Sequence, residues 1–320
     1  MIAKPDVNTL IAGPLGQWLD EQALVREKAQ ELARSRWWKA AIIAGPLLAF
    51  LWILVPGWFQ FNLFATIGAA ALGYGWGQLP RSKAIKAVKV GINEAIAKAL
   101  ELQYQLNVVP GTSFELCQRY ELVPSYDRSR FEDHWHGDVS GRSFALHEAH
   151  LKERRGSSKN QRYVTVFRGA VMTIDFSRRF HGTTLVERAD QHRKLLGLGG
   201  RKDSVKFDGH QLDYVDVVHP DFEDEFCVFS DDQVEARYIV HPQYVERMIE
   251  VQKAFAGKGI RALFCGGELV IAIETENMFE SGSIDAADDR SRIVRTVEQF
   301  ASLANLAHAL NEPERGSQSA

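Results

Sequence analysis

From Ala40 to Leu79 the chain carries no Asp, Glu, Lys or Arg: an apolar run, AAIIAGPLLAFLWILV, turns at Pro56-Gly57 and resumes as WFQFNLFATIGAAALGYGWG. A bilayer crossing takes roughly 20 mostly apolar residues at ~1.5 Å rise each. The run therefore suffices for two passes and predicts a two-helix transmembrane hairpin over 39–78, with Pro46 as a kink that membrane helices tolerate. A helical hairpin buried in a soluble core is the competing reading, but such cores seldom go so far without a charge. Gly68, Gly73, Gly75 and Gly77 give the second span a small-residue face for close helix packing. Upstream, over 1–38, a loose arm leads into an amphipathic helix from Leu15 to Trp38, whose stripe is Trp18, Leu19, Ala23, Leu24, Ala29 and Leu32. Downstream, over 79–107, Ser82 is read as the cap of a juxtamembrane helix that continues through LELQYQL, with Ile85, Val88, Ile92, Ile96, Ala99 and Leu102 as its stripe.

After Pro110-Gly111 the pattern changes to β-branched and aromatic alternation, which predicts an α+β domain over 108–311 of mainly antiparallel sheet flanked by helices. Strand candidates are Phe131 to Leu151 around a turn at 139–142, Tyr163 to Phe176 with Gly169 as a turn or bulge, SVKF at 204–207 and FCVFS at 226–230. EARYIV at 235–240 reads as strand or helix entry. Pro242 opens a helix that runs to Gly257. IRALFC, Gly266-Gly267 and ELVIAIE form the clearest hairpin signal, because a Gly-Gly loop supplies the positive φ angles a two-residue turn needs. A last helix follows Asp288-Asp289, with Ile293, Val297, Phe300, Leu303, Leu306 and Leu310 as its stripe, and a disordered tail occupies 312–320.

Charge refines the placement of the hairpin. Arg34, Arg36 and Lys39 precede the first span, Arg81, Lys83, Lys86 and Lys89 follow the second, and the turn between carries none. Cationic flanks stay cytoplasmic, so both chain ends are expected inside a bacterial inner membrane. Trp37, Trp38, Lys39, Trp58, Trp76, Arg81 and Lys83 are the expected membrane-interface residues. A net charge of −3 offers nothing to attract nucleic acid. Cys117, Cys227 and Cys265 are odd in number and unpaired in spacing, which fits a reducing compartment and excludes a zinc ribbon or a disulfide framework.

The run FCVFSDDQVEARYIVHPQYVERMIEVQ, the hairpin ALFCGGELVIAIETENMFE and the earlier VFRGAVMTIDFSRRFHGTTLVERAD resemble the bacterial domain-of-unknown-function family DUF3137. The resemblance covers roughly Gln22 to Leu310. It implies a membrane-anchored protein with a cytoplasmic α+β domain, no catalytic signature and, by family analogy alone, a LemA-type membrane protein as partner.

Candidate chemistry is sparse. His134 and His136 share one strand face at period two and are the candidate metal ligands, with His147 or His150 as a third. Hydrogen-bonded histidines on a hairpin explain the same residues. Gly197 to Lys202 lacks the Gly-Lys-Ser/Thr ending of a phosphate loop. Asp221 to Glu225 with Asp231-Asp232 departs from the EF-hand register. The basic stretch Arg178 to Lys202 is diluted by acids, which favours a lipid surface over nucleic acid. No motif requires a cofactor. The reading is a noncatalytic, membrane-tethered binding or scaffolding module that contacts the lipid bilayer; the alternative is a membrane-tethered metal-dependent hydrolase using His134 and His136. Nothing in the pattern sets the oligomeric state.

Overall fold

The structure, a computed structural model, describes residues 6–139, 141–156, 160–175, 181–189, 202–207, 209–217, 226–254, 259–275 and 278–311. The chain forms two units. One gathers 6–95 and 280–294, the other 96–279 with the chain from Arg295 onward.

The first unit is helical. Asp6 caps a short α1 (Val7–Ala12) by accepting from Asn8 N and Thr9 N, so part of the arm expected to be loose is ordered. Two helices of 41 residues come next, α2 (Pro14–Leu54) and α3 (Phe59–Ala99). The amphipathic segment and the apolar run thus form one uninterrupted α2, with Pro46 inside it. Likewise α3 runs straight through Ser82, whose hydroxyl donates to the Leu79 carbonyl at 3.1 Å instead of capping a new helix. Such back-bonding is the usual fate of a mid-helix serine. Among the described residues one helix, α2, is long and apolar enough to cross a membrane. In α3, Gln60, Asn62 and the glycines dilute the apolar run.

The buried side chains of this unit are held by an ion pair. Arg26 of α2 donates to both carboxylate oxygens of Asp289 at 2.7 Å and to the Ser283 carbonyl at 3.2 Å. Both partners are buried, the arginine only 1% exposed. Ser281 donates to Asn93 Oδ1 at 2.7 Å, and Lys89 lies 3.5 Å from Glu280. The segment runs so close to α3 that a Cβ on Gly282 would stand 2.4 Å from the Ile85 carbonyl oxygen.

The second unit is built on a ten-stranded sheet of order β1-β2-β3-β4-β10-β9-β5-β8-β7-β6, antiparallel at every pairing. The strands are β1 (Leu102–Asn107), β2 (Arg128–Asp138), β3 (Ser143–Arg155), β4 (Arg162–Asp175), β5 (Thr184–Arg188), β6 (Ser204–Phe207), β7 (His210–Val215), β8 (Phe226–Ser230), β9 (Gly259–Cys265) and β10 (Glu268–Glu274). The described residues also form helices α4 (Thr112–Arg119), α5 (Gln233–Ile239), α6 (Pro242–Ala254) and α7 (Asp289–Asn311). LQYQLN is strand β1, not the end of a helix: α3 stops at Ala99, Glu101 takes a φ of 58°, and the alternating residues pair with β2. A left-handed residue cannot continue an α-helix.

The strongest hairpin signal folds as expected. Gly266 and Gly267 adopt φ of 64° and 97°, and Glu268 pairs with Cys265. Gly169 is neither a turn nor a bulge; it sits mid-strand in β4 because a Cβ there would fall 1.8 Å from the Ile273 carbonyl oxygen of β10. One sheet face carries Ala149, Leu151, Phe167, Val171, Val270, Ala272, Leu263, Leu185 and Phe229 beneath Phe114 and Cys117 of α4. On the opposite face Trp135, fully buried, meets Phe279 and Phe300 at 5.2 and 4.2 Å between ring centroids. The expected tail at 312–320 lies outside the described residues, as do the acidic turn at 221–225 and most of the basic stretch, including Arg178, Arg179, Arg193 and Lys194.

Breaking a buried ion pair from one side strands the other charge, which costs about 3–5 kcal/mol, whereas replacing both by apolar groups of similar size is close to neutral. Asp289→Ala is therefore expected to lower the unfolding midpoint markedly, and Arg26→Met combined with Asp289→Leu to recover most of it. Thermal melts of the three proteins check this.

Candidate functional site

The histidine strand owes its geometry to a bulge. The β2–β3 register shifts between Glu132 and Trp135, and Asp133 takes a φ of 54° there. An extra residue in one strand re-aims the side chains beyond it. Asp133 is buried and accepts from the Tyr104 hydroxyl at 2.6 Å, on the side where Tyr104 packs against Trp135 at 4.9 Å. By strand alternation His134 and His136 take the other face, where their rings stack 4.6 Å apart at 11°.

His147 lies on the neighbouring β3, its ring 5.8 Å from Phe114 and 5.7 Å from Phe131. Burial, with a smaller contribution from His134, pushes its pKa down to about 4. Burial first and the charge of His136 second also lower that of His134. Nδ1 of His134 and of His136, and Nε2 of His147, are buried without a hydrogen-bond partner among the described residues. His150 instead pairs with the Thr165 hydroxyl at 2.9 Å on the other side of β3. Among the described residues no group of three or more His, Cys, Asp or Glu side chains is arranged to hold a metal ion. Chemically, His134 and His147 resist a proton because burial and a neighbouring histidine oppose the charge.

A second feature has no counterpart in any local pattern of the chain. A cleft of about 670 Å³ opens beside the end of α4, lined by Gln118, Glu121, Glu187, Lys202, Phe207 and Arg261 among others. Because Val186 pairs with Ala262, Glu187 and Arg261 come side by side across β5 and β9. Arg261 is held by the carbonyls of Leu122 and Glu121, at 2.9 and 3.4 Å. Glu187 sits within a stretch that reads as basic, and only the pairing of β5, five residues long, reveals it as a buried acid. The glycine-rich 197–201 lies outside the described residues.

Two of the cysteines, Cys117 and Cys227, are ill suited to nucleophilic work. Burial pushes the Cys117 thiol up to about 12, and Cys227 is buried with its thiol turned toward the Glu187 and Arg188 carbonyls at 3.6 and 3.7 Å. Thiolate, the reactive form, is disfavoured by apolar burial.

On α2 and α3 the aromatic and cationic side chains meet. Trp37 stacks on Tyr74 at 6.1 Å and 3°, and its indole N–H faces the Tyr74 carbonyl at 3.4 Å. Arg36 lies over Trp76 at 5.4 Å, and Arg81 over Trp37 at 5.9 Å. Trp38, Lys39, Trp58 and Lys83 are exposed, Trp58 edge-on to Phe61.

His147 yields a pH prediction. Its folded pKa, about 4, lies below the ordinary 6.5, so between these values the unfolded chain binds a proton that the native one refuses. Stability is expected to fall as pH drops through this window, by on the order of 3 kcal/mol at about 1.4 kcal/mol per pH unit. His147→Gln should flatten that acid limb in unfolding midpoints measured from pH 7 to 4.

No curated protein matches the chain. A solved structure, titled the crystal structure of the mycobacterial trehalose monomycolate transport factor A, TtfA, aligns over 72% of this chain and 97% of its own at 11% identity, with a TM-score of 0.35. As the resemblance of the sequence implied, residues 165–312 match the family described as "Protein of unknown function (DUF3137)".

Proposed function

We propose that this protein is a noncatalytic binding or scaffolding module tethered to the bacterial inner membrane by α2 and α3 as a transmembrane hairpin, its α+β unit and both chain ends in the cytoplasm. The observation that carries the reading is exposure. None of the most apolar window of α2 is buried, and Ile42, Phe50 and Ile53 stand 63–77% exposed. A core helix of a soluble protein buries such residues, since each large apolar side chain left in water forgoes about 1.5–3 kcal/mol. The window of 18 residues spans ~27 Å, close to the hydrocarbon thickness of a bilayer.

The second pass rests on the absence of charge from Phe59 to Leu79 and on the exposure of Phe64, Ile67 and Leu72. Asn62, in the first turn of α3, is buried and donates to the Val55 carbonyl at 2.9 Å, which is how a polar side chain persists in an apolar setting. Orientation is inferred from Arg34, Arg36 and Lys39 before the first span and Arg81, Lys83 and Lys86 after the second. A membrane protein is the partner class this placement favours. The described residues hold one imidazole, His147, that burial keeps from taking a proton, a thiol held protonated by burial and a mixed-charge cleft, which suits binding better than turnover.

The full chain is expected to stay in the membrane pellet through an alkaline carbonate wash. A fluorescent reporter fused after Ala320 is expected to light up in the cytoplasm. Recovery in the wash would refute the tether, and an alkaline phosphatase fusion active at the same position would refute the orientation.

A further inference from the structure

The geometry points to a binding site for the phosphate of an anionic phospholipid between Arg36 and Arg81, on the polar edge of the apolar run. It rests on the membrane-tethered reading above. Each helix supplies an arginine that lies over a tryptophan of the other: Arg36 of α2 over Trp76, and Arg81 of α3 over Trp37. Trp37 is itself fixed. It stacks on Tyr74, and it lies so close to α3 that a Cβ on Gly77 would stand 1.8 Å from its indole nitrogen. The absence of a side chain at Gly77 is what lets Trp37 cross to the partner helix. Two guanidinium planes are thus pre-set on aromatic faces, a contact that orients arginine while leaving its N–H edge free to bind.

The donors of these arginines are underused. Arg36 gives one N–H to the Trp76 carbonyl at 3.3 Å, and Nε of Arg81 is buried with no acceptor among the described residues. The chain holds no Asp or Glu between Glu31 and Glu94. Among the described residues, neither arginine has an ion pair. A cation cluster without its own carboxylates needs an anion from elsewhere. At the boundary where the uncharged run ends, the anion on hand is the lipid phosphate, whose oxygens match the planar fork of a guanidinium.

Native mass spectrometry of the full chain in neutral detergent tests this, because the diffuse field of an anionic bilayer is then absent. Phosphatidylglycerol is expected to bind roughly tenfold tighter than phosphatidylcholine, the scale of one charge-assisted bidentate contact. Arg36→Gln with Arg81→Gln should abolish that preference, whereas Arg34→Gln with Lys86→Gln, which removes the same charge, should keep it. Arg36→Lys with Arg81→Lys retains charge and helix propensity but not the planar fork, and should also lose most of the preference. Equal loss in the two Gln pairs, or wild-type behaviour of the Lys pair, overturns the site. Displacement of the lipid by millimolar inorganic phosphate also overturns it, since free phosphate would then be the ligand. Absence of any lipid preference in the wild-type chain, while it still resists carbonate extraction, sinks this site alone, whereas a wild-type chain that leaves the membrane sinks the tether with it.

Discussion

Arg26 and Asp289 lie far apart in the chain yet form one buried, two-pronged contact. Much else in the helical unit depends on it. Charges taken out of water are tolerated only where geometry and further hydrogen bonds are good, and here the Ser283 carbonyl receives the arginine as well. The contact fixes the short segment after Phe279 to the unit that begins at Asp6, so the unit is composed of two distant stretches. Glycine at 282 and Ser281 on Asn93 complete the fit by letting backbone approach backbone. An ion pair of this kind adds little net stability over a well-packed apolar pair, yet losing one partner is costly because the other charge is then stranded.

The sheet unit is organised by a different constraint. An antiparallel array of ten strands satisfies its interior backbone groups internally, and each face then needs its own cover. Phe114 and Cys117 of α4 cover one face, and Phe300 of α7 with Phe279 covers Trp135 on the other. The bulge at Asp133 belongs to this scheme. It keeps Asp133 with Tyr104 on the tryptophan side and leaves His134 and His136 stacked on the opposite one. The polar cleft at Glu187 and Arg261 opens at the same face as α4, where the loop after that helix lends its carbonyls to the arginine.

Legibility in the sequence varied with the range of the interaction. The Gly266-Gly267 hairpin, the strands of β2, β3, β4 and β8 and the helix from Pro242 all carry a local signature, period two or a turn residue, and all are present. β1, β5 and β7 are short and polar or charged on one side, so their alternation is weak. Glu101 shows the limit well. Nothing about a glutamate announces a left-handed residue, yet that single φ ends a helix whose stripe otherwise continues into Leu102. Of the candidate sites, the period-two pairing of His134 and His136 was legible, whereas the approach of His147 and the cleft at Glu187 depended on strand neighbours far away in the chain.

By itself the sequence determined the long uncharged apolar run with its cationic flanks, the α+β character of the chain beyond Gly111 and the similarity to a family, because each is a property of neighbouring residues and their spacing. Only the tertiary structure decided the strand order, the closeness that demands Gly169 and Gly77, the pairing of Arg26 with Asp289 and the placement of Arg36 and Arg81 over each other's tryptophans. These are contacts between segments whose separation along the chain leaves no periodic trace, and they exist only once the helices and strands have packed.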